Sequence, residues 1–317
     1  MTNRETSGLF VLLGLQIILI LVVYTYAQGN ARPHDTKLLI PIDAEIIDEL
    51  IISDDSGELR LNKTADGWVI PKLDSLSANE IKLSSILSDL LSLKSGWPVA
   101  STAGSQSRFK VAGENFNRRV DLISKTVKVG SIYVGTSPGF KKSHVRLDEQ
   151  KNIYALPLNT YDLPTDPADW LDKSLIAVQN IRSIEGIDFK LVSEDREWSV
   201  VQTDKELATE SNVEVNKDNA TALDMAFKTL TVLSVTNEDI NMDDSEAYRL
   251  KVFAPNQFTY TFLEKDDQYY VNRSDIDSIF TLSKFNFDSI LSQNLESLSI
   301  SETDAPPLAP DVQQMTD

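Results

Sequence analysis

Three blocks of this sequence recur in the same order, and that recurrence constrains the fold more than any other feature. At an offset of 130 residues, without gaps, ELIISDDSGELRLNKTADGWVI (49–70) faces QNIRSIEGIDFKLVSEDREWSV (179–200). Ile51 then falls on Ile181, Ser53 on Ser183, Leu61 on Leu191 and Trp68 on Trp198. Past an insertion around TDKELATESN, the apolar stripe Leu83, Ile86, Leu87 and Leu90 returns at an offset of 140 as Leu223, Ala226, Phe227 and Leu230. At an offset of 126, HVRLDEQKNIYAL (144–156) faces YVNRSDIDSIFTL (270–282), with Val145 on Val271 and Ile153-Tyr154 on Ile279-Phe280. The same element types in the same order predict an α+β fold made of two tandem repeats, residues 43–178 and 179–300. Each repeat is expected to hold an antiparallel β-meander plus a helix.

Local patterns supply the elements. Leu59 and Leu61 alternate with polar neighbours, and the turn ADG leads into Trp68-Val69-Ile70, which is a hairpin signature. SLSANEIKLSSILSDLLSLK comes next as a helix, with Ser77 and Glu80 spaced as a capping box. Residues 95–107, rich in Gly, Ser and Ala, read as a loop. RVDLIS, KTVKVGSIYVG, SHVRL and NIYALPL read as successive short strands. Trp68 and Trp198, at equivalent places in the two repeats, are expected to cover their own helices rather than to form a ligand platform.

Ahead of the repeats, Gly8 to Ala27 carries no charge, and Gln16 is its one markedly polar side chain before Thr25. A run of ~20 apolar residues at 1.5 Å rise matches the ~30 Å hydrocarbon core of a bilayer. Residues 8–27 are therefore predicted as an N-terminal transmembrane helix, after a cytoplasmic tail at 1–7 and before a tether at 28–42. The apolar core exceeds the ~7–15 residues of a cleavable signal peptide, and Thr25-Tyr26-Ala27 is a poor cleavage site. A short tail before a signal-anchor stays inside while the C-terminal bulk is exported. The expectation is a single-pass inner-membrane protein whose soluble part is extracytoplasmic, ending in a disordered acidic tail at 301–317.

Charge and composition exclude several functions. A formal charge of -18 repels nucleic-acid phosphates and disfavours lying flat on anionic lipid. The absence of cysteine removes disulfides and thiolate metal sites, and His34 and His144 are the only histidines. The string GTSPG at 135–139 has the G-x-S-x-G spelling but lies between two predicted strands rather than between a strand and a helix, and no Walker A pattern occurs, so no enzymatic activity, metal or cofactor is expected. The acidic run Asp239 to Glu246 lacks the glycine and the terminal glutamate of an EF-hand loop and reads as solvated.

The most distinctive segment is VGTSPGFKKSHVRL, residues 134–147. Gly135, Thr136, Ser137 and Gly139 provide dense turn chemistry, and Lys141, Lys142, His144 and Arg146 place four basic or titratable groups in six residues. In an alternating strand Lys142, His144 and Arg146 share one face. These eight residues are the candidate partner-docking edge. A solvated edge that discourages strand pairing is the alternative.

FKVAGENFNRRVDL, VGTSPGFKKSHVR and IYALPLNTYDLPTDPADWLDKSLI resemble successive motifs of the domain-of-unknown-function 4340 family, most specifically from Phe109 to Ile176. That family comprises bacterial envelope proteins, often encoded beside gliding-motility-type ABC transporter components, and it offers no catalytic residues to carry over. The resemblance implies an anchored, extracytoplasmic accessory subunit of an ABC-type transport or envelope-assembly complex. Its partners would be the membrane subunits of that system and the bilayer, through residues 8–27. An anchored module binding a soluble glycan or peptide in a cleft between the repeats is the rival expectation.

Overall fold

The computed structural model describes residues 12–24, 36–195, 197–204 and 209–300. Residues 12–24 form helix α1, whose leucine, isoleucine and valine side chains are exposed all round. Among the described residues no helix is long and apolar enough to cross a membrane. Residues 8–11 and 25–27 of the expected span lie outside the described residues, as do the tail at 1–7, residues 28–35 of the tether and the segment 301–317.

In chain order the first elements are β1 (Glu49–Ser53), β2 (Glu58–Thr64), β3 (Gly67–Ile70), β4 (Leu76–Ser77), α2 (Glu80–Ser92) and α3 (Ala103–Arg108). Then come β5 (Val111–Ala112), β6 (Asn115–Phe116), β7 (Arg118–Ser124), β8 (Val127–Val134), β9 (Ser143–Leu147) and β10 (Tyr154–Leu156). The second half contributes β11 (Ser183–Glu185), β12 (Phe189–Glu194), β13 (Glu197–Asp204), β14 (Thr209–Val213), α4 (Lys217–Lys228) and β15 (Ser234–Val235). It ends with β16 (Tyr248–Phe253), β17 (Gln257–Lys265), β18 (Gln268–Arg273), β19 (Phe280–Leu282), α5 (Lys284–Leu291) and α6 (Leu295–Leu298). The paired strands are antiparallel, and with these helices the fold is α+β.

The described residues divide into two compact units, one drawn from residues up to 46, 87–122 and 127–163, the other from 47–86, 123–126 and 164 onward. In the larger unit β1 to β4 form an antiparallel ladder, with Leu50 opposite Leu61 and Lys63 opposite Trp68. Leu59 and Leu61 point to the core, as their alternation requires. The helix after the ladder is not capped by Ser77. That residue pairs with Val69 in β4, so its side chain follows the strand. Asn79 takes the capping place instead, its Oδ1 accepting from the Lys82 amide at 2.9 Å. Glu80 Oε1 accepts from the Trp68 amide at 3.3 Å, which ties the helix start to the hairpin.

A nine-stranded sheet fills the rest of this unit, in the order β14-β13-β12-β11-β16-β17-β18-β19-β15. The stripe on α4, Leu223 and Phe227 with Leu230 beyond it, is buried. Phe227 meets Tyr260 edge-on with ring centroids 5.0 Å apart, and Tyr260 donates its hydroxyl proton to the Ile176 carbonyl.

In the smaller unit β7, β8, β9 and β10 follow one another in the sheet. Val111, Tyr133 and Ile153 form a core with Ala100, Phe109 and Phe116 packed against it. Two local expectations change here. The loop at 95–107 contains α3, capped by Thr102, whose side chain accepts from the Ser105 amide. The tether ends before Leu39 and Ile40, which are buried; the Leu39 amide donates to the Leu93 carbonyl at 2.8 Å.

Strand order is the same in two runs: β1 to β4 match β11 to β14, and β7 to β10 match β16 to β19. Trp68 faces Lys63 and Trp198 faces Ser193, so the offset of 130 holds through these hairpins. It fails one strand earlier. Leu61 faces Leu50 but Leu191 faces Ile184, so β1 and β11 align at 134 rather than 130, because the second hairpin is four residues shorter. A shift of four keeps every side chain on its own face. Val145 faces Tyr154 and Val271 faces Phe280, as the offset of 126 requires. The tryptophans differ in burial: Trp68 is buried and Trp198 half-buried.

Candidate docking hairpin

The connection between β8 and β9 has a rigid base and an exposed tip. At the base the ladder continues past the strands: the Gly135 amide donates to the His144 carbonyl at 2.8 Å, and the His144 amide to the Thr136 carbonyl at 2.9 Å. The Thr136 amide donates to the Phe109 carbonyl at 2.9 Å, so the chain before β5 crosses this end of the hairpin. Gly135 is required there, because a Cβ would collide with the carbonyl oxygens of Phe109 and Lys110.

His144 and Arg146, expected on an open face with Lys142, are both buried. The segment from Phe109 to Phe116 covers the face that alternation assigned to solvent. The His144 ring stacks on Phe109, and its Nδ1 lies 2.8 Å from the Thr136 carbonyl. A carbonyl only accepts, so Nδ1 carries the proton. Nδ1 also lies 2.9 Å from the Thr136 hydroxyl.

Arg146 is 5% exposed. Its Nε donates to the Val111 carbonyl at 2.6 Å, and its Nη1 to the carbonyls of Leu147, Asp148 and Gln150 at 2.9, 2.7 and 3.0 Å. The guanidinium lies over Tyr133, 4.5 Å from the ring centroid. Burial pushes the Tyr133 hydroxyl up from its ordinary pKa, and the Asp148 carboxylate adds to this. Arg146 therefore knits the smaller unit together and presents no cation to a partner.

The tip is Ser137 to Lys142. Ser137 Oγ donates to the Gly139 carbonyl at 2.7 Å and accepts from the Gly139 amide at 3.3 Å. The Lys142 amide donates back to the Gly139 carbonyl at 3.3 Å, closing a four-residue turn with Lys141 in the left-handed region at φ 52. The turn projects Phe140, 88% exposed, with Lys141 Nζ 5.4 Å from its ring centroid and Lys142 beside it, also exposed. An aromatic face and two ammonium groups on a fixed turn can bind an apolar or anionic surface.

Of the eight candidate residues, Lys141 and Lys142 thus form the tip that Ser137 and Gly139 hold, and Gly135, Thr136, His144 and Arg146 form the base. Sequence reasoning passed over Phe140. Its signal was available: an aromatic between Gly139 and Lys141 in a turn has no sheet face to bury itself against. The burial of Arg146 had no such signal, since it depends on a chain crossing from 35 residues earlier.

Asp121 and the acidic run from Asp239 to Glu246 are held by internal contacts. Buried Asp121 meets Arg119 at 3.0 Å, Lys128 at 3.3 Å and Ser131 Oγ at 2.5 Å. In the acidic run, Asn241 and Asp244 accept from the Asp243 and Glu246 amides. Among the described residues no group of three or more His, Cys, Asp or Glu side chains could hold a metal ion.

A family model described as Domain of unknown function (DUF4340) matches residues 68–252, more than half of the chain. Neither the curated proteins nor the solved structures contain a match.

Proposed function

The chain belongs to the DUF4340 family, and from that premise we propose that it is a membrane-anchored interaction protein rather than an enzyme. Its role is that of an extracytoplasmic accessory subunit in an ABC-type transport or envelope-assembly complex. The observation that carries the reading is α1: a helix with leucine, isoleucine and valine exposed around its whole circumference needs a bilayer or a protein to cover it. The uncharged run from Gly8 to Ala27 has the length of a membrane span. The two matching runs of strands support reading the chain as a duplicated module that serves as a rigid scaffold. The transporter as partner comes from the resemblance to envelope proteins.

The tip at Ser137–Lys142 is the part of this scaffold that meets the membrane subunits. Protease added to intact spheroplasts should digest the chain beyond Ala27 while a cytosolic control survives, and alkaline carbonate should leave the protein in the membrane pellet. Replacing Phe140, Lys141 and Lys142 together with Ser should abolish copurification of the membrane partner and leave folding intact, because exposed substitutions change stability by only ~0.5 kcal/mol. Protection from protease in intact spheroplasts, or release by carbonate, would reject the anchored, exported topology. Unchanged copurification of the triple variant would remove the tip from the interface.

A further inference from the structure

We propose that the point where the tether enters the smaller unit is a bilayer-contacting surface, built from Leu38, Trp97 and Val99 with Lys37 and Lys94. The proposal rests on the anchored reading above and names what this end of the folded domain touches. Two short stretches meet there. Leu38 and Lys94 form an isolated antiparallel bridge, the Lys37 amide donates to Ser95 Oγ at 3.1 Å, and the Ser95 amide donates to the Lys37 carbonyl at 2.7 Å. The adjoining turn carries Trp97, 73% exposed, then Pro98 and Val99, both exposed. Leu38 and the two lysines are exposed as well.

An indole beside aliphatic side chains and ammonium groups is the composition of a membrane interface. The ring sits at headgroup level, the aliphatic groups reach the acyl boundary, and the lysines meet lipid phosphates. Chain length commits the occupant to the bilayer. Lys37 lies ten residue steps beyond Ala27, and a fully extended chain spans at most ~3.3–3.6 Å per residue, so Lys37 cannot lie more than about 35 Å from the end of the span. The patch is thus the part of the folded unit that the tether keeps nearest the membrane. The charge of -18 does not oppose this, because repulsion from the rest of the surface is screened beyond ~8–10 Å.

The test uses the full chain reconstituted into phosphatidylcholine vesicles, with and without phosphatidylglycerol, containing lipids brominated near the headgroup end of the acyl chain. Carbonate-resistant pelleting with the vesicles reads the anchor, and tryptophan quenching reads the patch. The expected result is quenching in the wild type that disappears in Trp97→Phe, while pelleting is unchanged. Replacing Lys37 and Lys94 with Gln should reduce the quenching in phosphatidylglycerol vesicles to its level in phosphatidylcholine alone. Pelleting without any Trp97-dependent quenching overturns the patch and leaves the anchor standing. Failure to pellet overturns the anchored reading and the patch with it.

Discussion

The imidazole of His144 lies on the ring of Phe109, with centroids 4.0 Å apart and planes 13° from parallel. The contact joins β9 to the segment ahead of β5, and the Nδ1–H bond to Thr136 fixes the ring in place. His144→Ala removes both. The stacking contributes ~0.5–1.5 kcal/mol and the hydrogen bond about as much, so the variant should lose ~1–3 kcal/mol in urea denaturation. A loss below the error of that measurement would mean that the stack holds nothing together.

Arg146 should be more costly. Arg146→Ala removes the guanidinium from four carbonyl oxygens, the buried one of Val111 among them, and an unsatisfied buried group costs ~1–3 kcal/mol. Arg146→Lys keeps the charge but cannot donate through a planar fork, so it should recover only part of the loss. Thermal melting of both variants beside Lys142→Ser decides the point. The expected order of melting temperature is Lys142→Ser close to wild type, then Arg146→Lys, then Arg146→Ala. Equal melting of all three would place Arg146 on the surface.

Tyr260 predicts a loss of stability in alkali. Burial, reinforced weakly by Asp275 and opposed by Arg273, pushes its hydroxyl from 10.0 up to about 12. The folded state thus holds a proton that the unfolded chain releases above pH 10. The contribution is whole below pH 10 and is lost as the pH rises through about 12. The hydroxyls of Tyr133, Tyr248 and Tyr270 are also raised, so Tyr260→Phe should flatten this alkaline decline without abolishing it. Denaturation midpoints at several pH values across that window give the answer; parallel curves for wild type and variant would refute the assignment.

The two tryptophans should separate in energy although they share a register position. Trp68→Ala empties a buried site and should cost ~3–5 kcal/mol. Trp198 is half-buried, so its truncation exposes less new apolar surface and should cost roughly half as much. Equal losses in guanidinium titrations would mean that Trp198 is covered as completely as Trp68.

Period-2 and period-3.6 patterns made the element types readable. Leu59 and Leu61 are buried in β2, and Leu83 to Leu90 line one side of α2, because alternation and helical spacing are properties of the local chain. The offset of 126 that sets Val145 on Val271 and Tyr154 on Phe280 was legible in the repeat, and the pairings of Val145 with Tyr154 and Val271 with Phe280 agree with it. The start of α2 was not. Ser77 and Asn79 both suit a cap, and only the pairing of Ser77 with Val69 in β4 decides between them.

The sequence alone determined the membership of the family, the paired runs of strands and their helices, and the turn chemistry at Gly135 to Gly139, all of which depend on neighbours within a few residues or on the repeat itself. Tertiary structure decided which basic groups of the hairpin face outward. Alternation predicts which side chains share a face of a strand, but not whether another segment covers that face. The segment from Phe109 to Phe116 covers it here, turning His144 and Arg146 into buried ties and leaving Phe140, Lys141 and Lys142 exposed.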